Sequence, residues 1–168
     1  MPTPAFMTIH GSRQGLISAG AFTEASVGNS YQTGREDQIM LQSLSHGIVV
    51  PRGAGAGRRL HKPLVITKTL DKASPLIQIA MCSGELLSKC RVELYRTSAH
   101  GTQEHFYTIE LEDALIVSAE VLMPDCQDPG VSHLTQREKV QFSYRRIYWR
   151  HEISRTMGSD EWQSEGQA

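Results

Sequence analysis

The chain lacks several features that would assign it quickly to a class. No apolar run in its 168 residues approaches the roughly 18–20 residues that a helix needs to cross a bilayer, and no basic segment followed by a long apolar one opens the chain. We therefore expect neither membrane insertion nor a Sec-type signal peptide. Lysine and arginine number 17 against 18 acidic residues, so the net charge is -1 at pH 7. That balance argues against a dedicated nucleic-acid-binding protein, because such domains usually carry a basic excess.

Cysteine is scarce, and the metal-ligand motifs are missing. The three cysteines, Cys82, Cys90 and Cys126, are odd in number and scattered, so we expect synthesis and folding in a reducing cytoplasm. The seven histidines form no H-x-x-x-H or H-E-x-x-H arrangement, and there is no C-x-x-C pair. Local motifs therefore predict no metal and no cofactor, although a site assembled from distant residues is left open.

The glycine-rich stretch Pro51–Arg59, P-R-G-A-G-A-G-R-R, is predicted to be an exposed loop. A dinucleotide-binding loop needs G-x-G-x-x-G followed by a helix N-terminus. Here position 58 is arginine and a strand pattern follows. A Walker A motif is absent as well. The Gly-Ala stretch is therefore interpreted as a flexible hairpin loop and not as a phosphate site.

Strand patterns account for most of the chain. Cys90–Arg96 alternates cleanly between apolar and polar residues, as a half-buried strand does. The other predicted strands are Ala5–His10, short strands such as Gly20–Ala25, Ile39–Val50, Leu60–Leu70, His105–Leu111, Ala114–Met123 and Lys139–Ile153. Glu112 and Asp113 interrupt one pattern, so His105–Leu111 and Ala114–Met123 are two strands or one bent strand. In the last strand the apolar phase switches between Tyr144 and Ile147, as at a barrel corner.

One helix is predicted, at about Ser74–Leu87. Ser74 is a good N-cap and Pro75 suits the first helical position. Five apolar residues recur at helical spacing: Leu76, Ile77, Ala80, Met81 and Leu87. A helix this short is marginal in water and must lie on the strands. The fold class is therefore mainly β, a closed or nearly closed barrel or a sandwich with one flanking helix. We expect one domain, residues 1–155, followed by a mobile tail, residues 156–168.

No arrangement of residues supports catalysis by itself. Glu110, Glu112 and Asp113 occupy neighbouring strand positions, so they spread over both faces and are interpreted as solvated charge. An alternative remains, in which a small β-barrel binds a ligand or acts as an enzyme at its mouth. Such mouths often hold apolar pockets with converging polar groups. The residues for that alternative are His61, His105 and Glu110.

Five stretches carry a resemblance to a known family. They are H-G-I-V-V-P-R-G-A-G-A-G-R-R-L-H-K-P (His46–Pro63), I-T-K-T-L-D-K-A-S-P-L-I (Ile66–Ile77), H-F-Y-T-I-E-L-E-D-A-L-I-V (His105–Val117), V-Q-F-S-Y-R-R-I-Y-W-R-H (Val140–His151) and S-D-E-W (Ser159–Trp162). Together they resemble the Hcp proteins, tube components of bacterial type VI secretion systems. The likeness covers nearly the whole chain, and its elements keep their order and spacing.

The resemblance implies a β-barrel of two sheets flanked by a helix, assembling as a homohexameric ring. It implies that rings stack into a hollow tube inside a contractile sheath, carry a spike at the tip, and hold effector proteins in the lumen. The implied partners are further copies of the chain, the sheath and spike proteins, and effectors. Neither enzymatic chemistry nor a cofactor is expected. The implied route is synthesis in the bacterial cytoplasm without a signal peptide, then secretion to the medium or a target cell.

The loop that contains the Gly-Ala stretch is the candidate interface. Its residues are Val49, Val50, Pro51, Arg52, Gly53, Gly55, Gly57, Arg58 and Arg59. A Val-Val-Pro run beside a Gly-Ala hinge has no evident internal role in a barrel. Small, polar loops suit an open interface that propagates from ring to ring. We therefore expect this segment to pack on a neighbouring ring or subunit.

Overall fold

The computed structural model describes residues 3–53 and 58–162, and strands dominate them. In chain order the strands are β1 (Ala5–Gly11), β2 (Gly15–Leu16), β3 (Ile39–Ser45), β4 (Ile48–Val49), β5 (Leu60–His61), β6 (Leu64–Thr69), β7 (Leu87–Thr97), β8 (Gln103–Leu122), β9 (Arg137–Ser143), β10 (Arg146–His151) and β11 (Thr156–Glu161). The α-helices are α1 (Glu24–Val27) and α2 (Ser74–Ser83), and a single 3-10 turn spans Gly28–Ser30. Within the described ranges, no helix is both long and apolar enough to cross a membrane.

Six strands close the barrel. Their order is β7, β1, β3, β6, β9 and β8, and β8 returns to pair with β7. The first half of β8 pairs with β7 and β10, whereas its second half pairs with β9. β10 and β11 extend the sheet beyond β8. The predicted fold class, a mainly β barrel of two sheets with a flanking helix, is confirmed.

The bend in β8 lies at Asp113, whose φ is 51°. Aspartate tolerates this left-handed region better than most residues. The N–H of Arg145 donates to the carbonyl oxygens of Glu112, at 3.1 Å, and of Asp113, at 3.2 Å. The stretch from residue 103 to 122 is therefore one bent strand, the second of the two predicted alternatives.

The predicted strand Lys139–Ile153 is wrong as a single element. β9 ends at Ser143 and β10 begins at Arg146. The two strands pair with different halves of β8, so the chain crosses from one side of the bend to the other between them. The change of apolar phase marked this crossing, but it marks a break between strands and not a corner within one.

The inward side chains of the six barrel strands form one apolar core. Its fully buried members include Met7, Ile9, Ile39, Leu41, Leu64, Ile66, Cys90, Val92, Leu111, Val140 and Phe142. α2 contributes Ile77 and Ala80 to the same cluster, as its apolar spacing predicted. Burying a large apolar side chain stabilises the fold by about 1.5–3 kcal/mol, so this shared core is what holds the short helix on the strands.

α2 is shorter than predicted. It ends at Ser83 because Gly84 adopts a left-handed conformation, with φ 65° and ψ 32°. Glycine takes this conformation without steric cost and commonly ends helices. Leu87 matches the helical spacing by coincidence: it begins β7 and is buried in the barrel core.

The helix N-terminus also differs from the prediction. The N-cap is Ala73 and Ser74 is the first helical residue. The hydroxyl of Ser74 accepts a hydrogen bond from the N–H of Asp71, at 3.0 Å, while Asp71 Oδ1 accepts from the N–H of Ala73, at 2.9 Å. These two hydrogen bonds have the pattern of a capping box in which Asp71 takes the N-cap position, three residues before the predicted N-cap Ser74.

A buried ion cluster lies under this end of α2. Lys68, fully buried on β6, places Nζ 2.9 Å from Oε2 of Glu138, 3.0 Å from Oδ1 of Asp71 and 2.9 Å from Oγ of Ser74. Burial raises the pKa of Asp71, and the charge of Lys68 opposes that rise. The cluster therefore joins β6, β9 and the start of α2 through one cation and two carboxylates.

Two further predictions need correction. The region around Gly20–Ala25 contains no strand; turns and the four-residue helix α1 occupy it. The prediction of a mobile tail from Thr156 is wrong over Thr156–Glu161, because this segment is β11 and pairs with β10 in continuous register. Residues 163–168 lie outside the described residues. The domain boundary at residue 155 stays a prediction, although β11 is hydrogen-bonded into the same sheet.

Candidate functional site: the projecting loop and its polar clasp

The segment that we call the projecting loop comprises the described residues 49–53 and 58–59, and a separate two-strand ribbon joins it to the barrel. β4 and β5 pair antiparallel, with Ile48 opposite His61. They form a sheet of their own, outside the barrel circuit. Val50, at the start of the loop, is 65% exposed, so its apolar side chain is left mostly in solvent. A projecting, partly apolar segment of this kind is suited to contact another molecule.

The structure places seven of the nine candidate interface residues. All seven are exposed: Val49, Val50, Pro51, Arg52, Gly53, Arg58 and Arg59. Gly55 and Gly57 lie outside the described residues. The prediction of an exposed loop at Pro51–Arg59 is confirmed for the described residues 51–53, 58 and 59, whereas contact of the candidate residues with another ring or subunit stays a prediction.

A chain of three hydrogen bonds ties the base of the loop to the rest of the molecule. The hydroxyl of Tyr144, between β9 and β10, lies 2.7 Å from Nε2 of His46 and 2.7 Å from Nδ1 of His61. Nε2 of His61 lies 2.7 Å from Oδ2 of Asp160 on β11. We call these four residues the polar clasp. They come from four separate segments, so the clasp holds the ribbon against both the barrel and β11.

Arg59 adds a second tie at the end of the loop. Its guanidinium forms a bidentate pair with the carboxylate of Asp160, in which Nε donates to Oδ2 and Nη2 donates to Oδ1 at 2.7 Å. The hydrogen bond from Arg59 is the main cause that lowers the pKa of Asp160, and the hydrogen bond from His61 lowers it as well, to about 2. Asp160 is therefore ionised at any physiological pH, and its negative charge is a permanent feature of the clasp.

Aromatic rings cover the clasp. The indole of Trp162 stacks on the ring of His61, with centroids 6.0 Å apart, and meets the ring of Tyr144 edge-on at 5.0 Å. The side chain of His61 is only 2% exposed. Burial, with a contribution from the charge of Asp160, raises the pKa of Tyr144. The phenol therefore stays protonated and always has one hydrogen to donate.

Sequence reasoning missed most of this clasp. His46, Tyr144 and Asp160 were not among the candidate residues, nor was Trp162, which covers the clasp, and His61 was considered only for the alternative site. These residues are separated by up to 116 positions, and only the pairing of β11 with β10 brings Asp160 to the loop. No local spacing signals such a contact. The one available signal was the likeness of both the His46–Pro63 stretch and the S-D-E-W stretch to the same family.

The alternative barrel-mouth site is not assembled. His61 is held in the clasp, His105 places Nε2 2.8 Å from Oγ1 of Thr108, and Glu110 pairs with Lys89 at 3.4 Å. His105 and Glu110 pair with Tyr95 and Arg91, which are four residues apart on β7, so the two side chains lie about 13 Å apart along the strand. Over residues 3–53 and 58–162, no group of three or more His, Cys, Asp and Glu side chains is arranged to hold a metal ion.

A second exposed apolar surface lies on the last part of β8. Its members are Leu115 and Val117 on the outer face of the strand and, beyond the bulge, Val121 and the adjoining Met123 at the strand end. The register with β9 shifts between Ile116 and Ser118, which leaves Val117 unpaired in a bulge, where its side chain is exposed. Several apolar side chains exposed on one strand also suit contact with another protein surface.

Comparison with known proteins decides the family. The model of the family described as "Type VI secretion system effector, Hcp" matches residues 6–151. The chain is also 57% identical over 168 residues to the "Major exported protein" of Pseudomonas aeruginosa, with 98% of each chain covered. The chain belongs to the Hcp family. Both the fold and the order of the five resembling stretches agree with this assignment.

Solved Hcp structures share the whole architecture. A crystal structure of an Hcp protein is 45% identical and superposes with a TM-score of 0.90 over 96% of this chain and 98% of the other. The secreted protein Hcp3 from Pseudomonas aeruginosa is 54% identical, with a TM-score of 0.85 over 96% and 99% of the two chains. The chain is therefore a type VI secretion Hcp protein, and this family is one of structural proteins and not a known enzyme family.

Proposed function

We propose that this Hcp protein is the ring-forming subunit of the inner tube of a type VI secretion system. Six copies close into a ring, rings stack into a hollow tube, and the tube is expelled from the cell. The observation that carries this proposal is the full-length likeness to Hcp proteins, 57% identical over 98% of both chains in one case. That relative is described as a major exported protein, which supports export of this chain as well.

Ring closure is supported by apolar surface that the protomer leaves exposed. Val121 and Met123, at the end of β8, are 56% and 66% exposed. Each buried square ångström of apolar surface contributes about 25 cal/mol, so a neighbouring copy that covers this strand gains stability. A head-to-tail interface between identical copies gives a closed ring when its rotation divides a full turn. We therefore assign the β8 surface to contacts within the ring.

Stacking of one ring on the next is assigned to the projecting loop. The loop combines an exposed Val49-Val50-Pro51 run with Arg58 and Arg59 on its return. The clasp and the Arg59 pair hold the base of the loop, and the described residues beyond it, Val50 to Gly53, are exposed for contact with a partner. An interface of this open kind repeats without limit, as a tube requires.

The remaining partners follow from the family alone. We propose that the tube lies inside a contractile sheath, carries a spike protein at its tip, and holds effector proteins in its lumen. No residue of this chain is assigned to these contacts. Synthesis in the bacterial cytoplasm followed by type VI secretion into the medium or a target cell is part of the same proposal.

The test is the mass and shape of the purified protein. Light scattering is expected to give about six times the mass of one chain, and negative-stain images are expected to show rings with a central hole. A strictly monomeric protein at high concentration would overturn the proposal.

A loop variant separates stacking from ring formation. Shortening the Gly53–Gly57 stretch is expected to leave the melting temperature almost unchanged and to leave rings intact, because the clasp and core are untouched. Stacked tubes are expected to be lost. The control is Ile153→Asp, which alters another exposed apolar residue, in the turn after β10. Normal tubes from the shortened loop would refute the assignment of stacking to this segment.

A further inference from the structure

The proton positions in the polar clasp are determined by Asp160. Its carboxylate is ionised and accepts, so Nε2 of His61 must carry a hydrogen. When His61 is neutral, its Nδ1 is therefore bare and accepts the hydroxyl hydrogen of Tyr144. The oxygen of Tyr144 then accepts from Nε2 of His46, which must also carry a hydrogen. One carboxylate thus sets both tautomers through three hydrogen bonds of 2.7 Å.

The polar clasp accepts one added proton without losing any of its three hydrogen bonds. With His61 protonated, its Nδ1–H donates to the oxygen of Tyr144 and its Nε2–H still donates to Asp160. The hydroxyl of Tyr144 turns to donate to Nε2 of His46, which is now bare, while Nδ1 of His46 carries the hydrogen. His46 is half-buried and His61 is buried, so His46 is the more accessible entry point for a proton.

A second proton cannot be accommodated. If both histidines are charged, both direct an N–H at the oxygen of Tyr144. The hydroxyl hydrogen of Tyr144 then has no acceptor among the four residues of the clasp. A buried hydrogen-bond donor without an acceptor destabilises the closed clasp. Two positively charged imidazole rings that contact the same hydroxyl group also repel each other. Burial, together with the charge of His61, lowers the pKa of His46, which agrees with this conflict.

Neighbouring charges do not relieve the conflict. Asp160 is already paired with Arg59. The charged side chains on the other surrounding segments are exposed or paired among themselves: Lys62 after β5, Arg145 and Arg146 at the start of β10, Glu112 and Asp113 at the bend of β8, and Glu161 on β11. The two histidines therefore share one compensating carboxylate.

We propose that the polar clasp is a proton-operated latch: it holds the base of the projecting loop with no or one added proton, and it releases the loop when the second arrives. The ribbon of β4 and β5, which is outside the barrel sheet, then loses the clasp and keeps the Arg59–Asp160 pair, so its hold on the barrel is loosened. The consequence for ring stacking rests on the function proposed above, in which the loop forms that contact. The latch itself is a property of the single chain.

Hydrogen exchange of the purified protein tests the latch. After correction for intrinsic exchange rates, protection of the peptides covering residues 46–62 is expected to fall roughly tenfold between about pH 7.5 and about pH 5. His46→Gln keeps a donor and an acceptor beside Tyr144 but does not titrate, so its protection is expected to stay constant. The matched control is His133→Gln, an exposed histidine in another loop, which is expected to behave as the wild type does. Equal pH dependence in His46→Gln and the wild type would overturn the proposal.

Sedimentation of stacked rings, measured on the same samples, distinguishes the two proposals. Loss of stacking at low pH in the wild type, but not in His46→Gln, would support both the latch and the assigned role of the loop. A latch that opens in hydrogen exchange while stacking is unchanged would support the latch and refute the role of the loop in stacking. Exchange that does not depend on His46 would refute the latch whatever the stacking shows.

Discussion

Replacing Lys68 with methionine removes the single cation from the buried cluster under α2. Methionine is similar in length and apolar, so the barrel wall keeps its packing. The carboxylates of Glu138 and Asp71, whose side chains are 0% and 3% exposed, are left beside each other without compensation. Breaking a buried ion pair by removing one partner costs about 3–5 kcal/mol. We expect a loss of that size in the free energy of unfolding.

The expected change is large enough to measure easily. For a chain of this length, 1 kcal/mol shifts the melting temperature by about 2–4 °C, so Lys68→Met is expected to melt roughly 6–20 °C lower. Denaturant unfolding at one fixed protein concentration is the assay, because self-association raises apparent stability. Lys89→Met is the control: Lys89 is half exposed and pairs with Glu110 at the surface, so its loss is expected to cost at most about 1 kcal/mol.

The pH dependence of Lys68→Met provides a second check. The pKa of Asp71 is raised by burial and held down in part by Lys68, so the variant raises it further. A carboxyl group with a raised pKa in the folded state stabilises the fold at low pH, and this contribution is lost as the pH rises through the folded pKa. The difference in unfolding free energy between Lys68→Met and the wild type is therefore expected to become smaller as the pH falls. A Lys68→Met protein within about 1 kcal/mol of the wild type at neutral pH would refute the reasoning.

Three further predictions follow from single residues. Glu138→Gln leaves Lys68 paired with the carboxylate of Asp71, so the unfolding free energy of this variant is expected to fall far less than that of Lys68→Met. An equal loss of unfolding free energy in the two variants, measured with denaturant, would contradict this. In the folded protein a thiol reagent is expected to label the exposed Cys82 and Cys126 before Cys90, because burial raises the pKa of Cys90 and blocks access; peptide mapping that finds Cys90 labelled equally fast would refute it. Asp113→Val is expected to lower stability by about 1–2 kcal/mol, because a β-branched residue is disfavoured at φ 51°; a thermal melt matching the wild type would speak against strain at the bend.

Much of the fold could be predicted from local patterns. The alternation in Cys90–Arg96 lies within β7, and the spacing of Ile77 and Ala80 identified the helix that packs on the core. These two predictions succeed because side-chain periodicity is a local property of the backbone. The predicted ends of the helices and strands were less accurate. Leu87 extended the apparent helix, although Gly84 ends it, since a pattern of apolar residues does not register a glycine in the left-handed conformation.

The misses concern pairings between distant segments. Thr156–Glu161 has little apolar alternation and was interpreted as a tail, yet it forms a strand because β10 offers a free edge beside it. The break between Ser143 and Arg146 follows from the bend in β8, whose two halves each take a different partner. Neither can be read from the segment itself, because the hydrogen-bond partner determines the strand.

By itself, the sequence determined the class of this protein: a strand-rich barrel with one supporting helix, and the order of stretches that places it among the Hcp proteins. Local periodicity and the choice of glycine and proline carry that information. Only the tertiary structure decided that His46, His61, Tyr144 and Asp160 form one hydrogen-bonded clasp at the base of the loop. Their contact depends on barrel closure and on the pairing of β11, and a sequence does not specify which distant residues meet until the strands are in register.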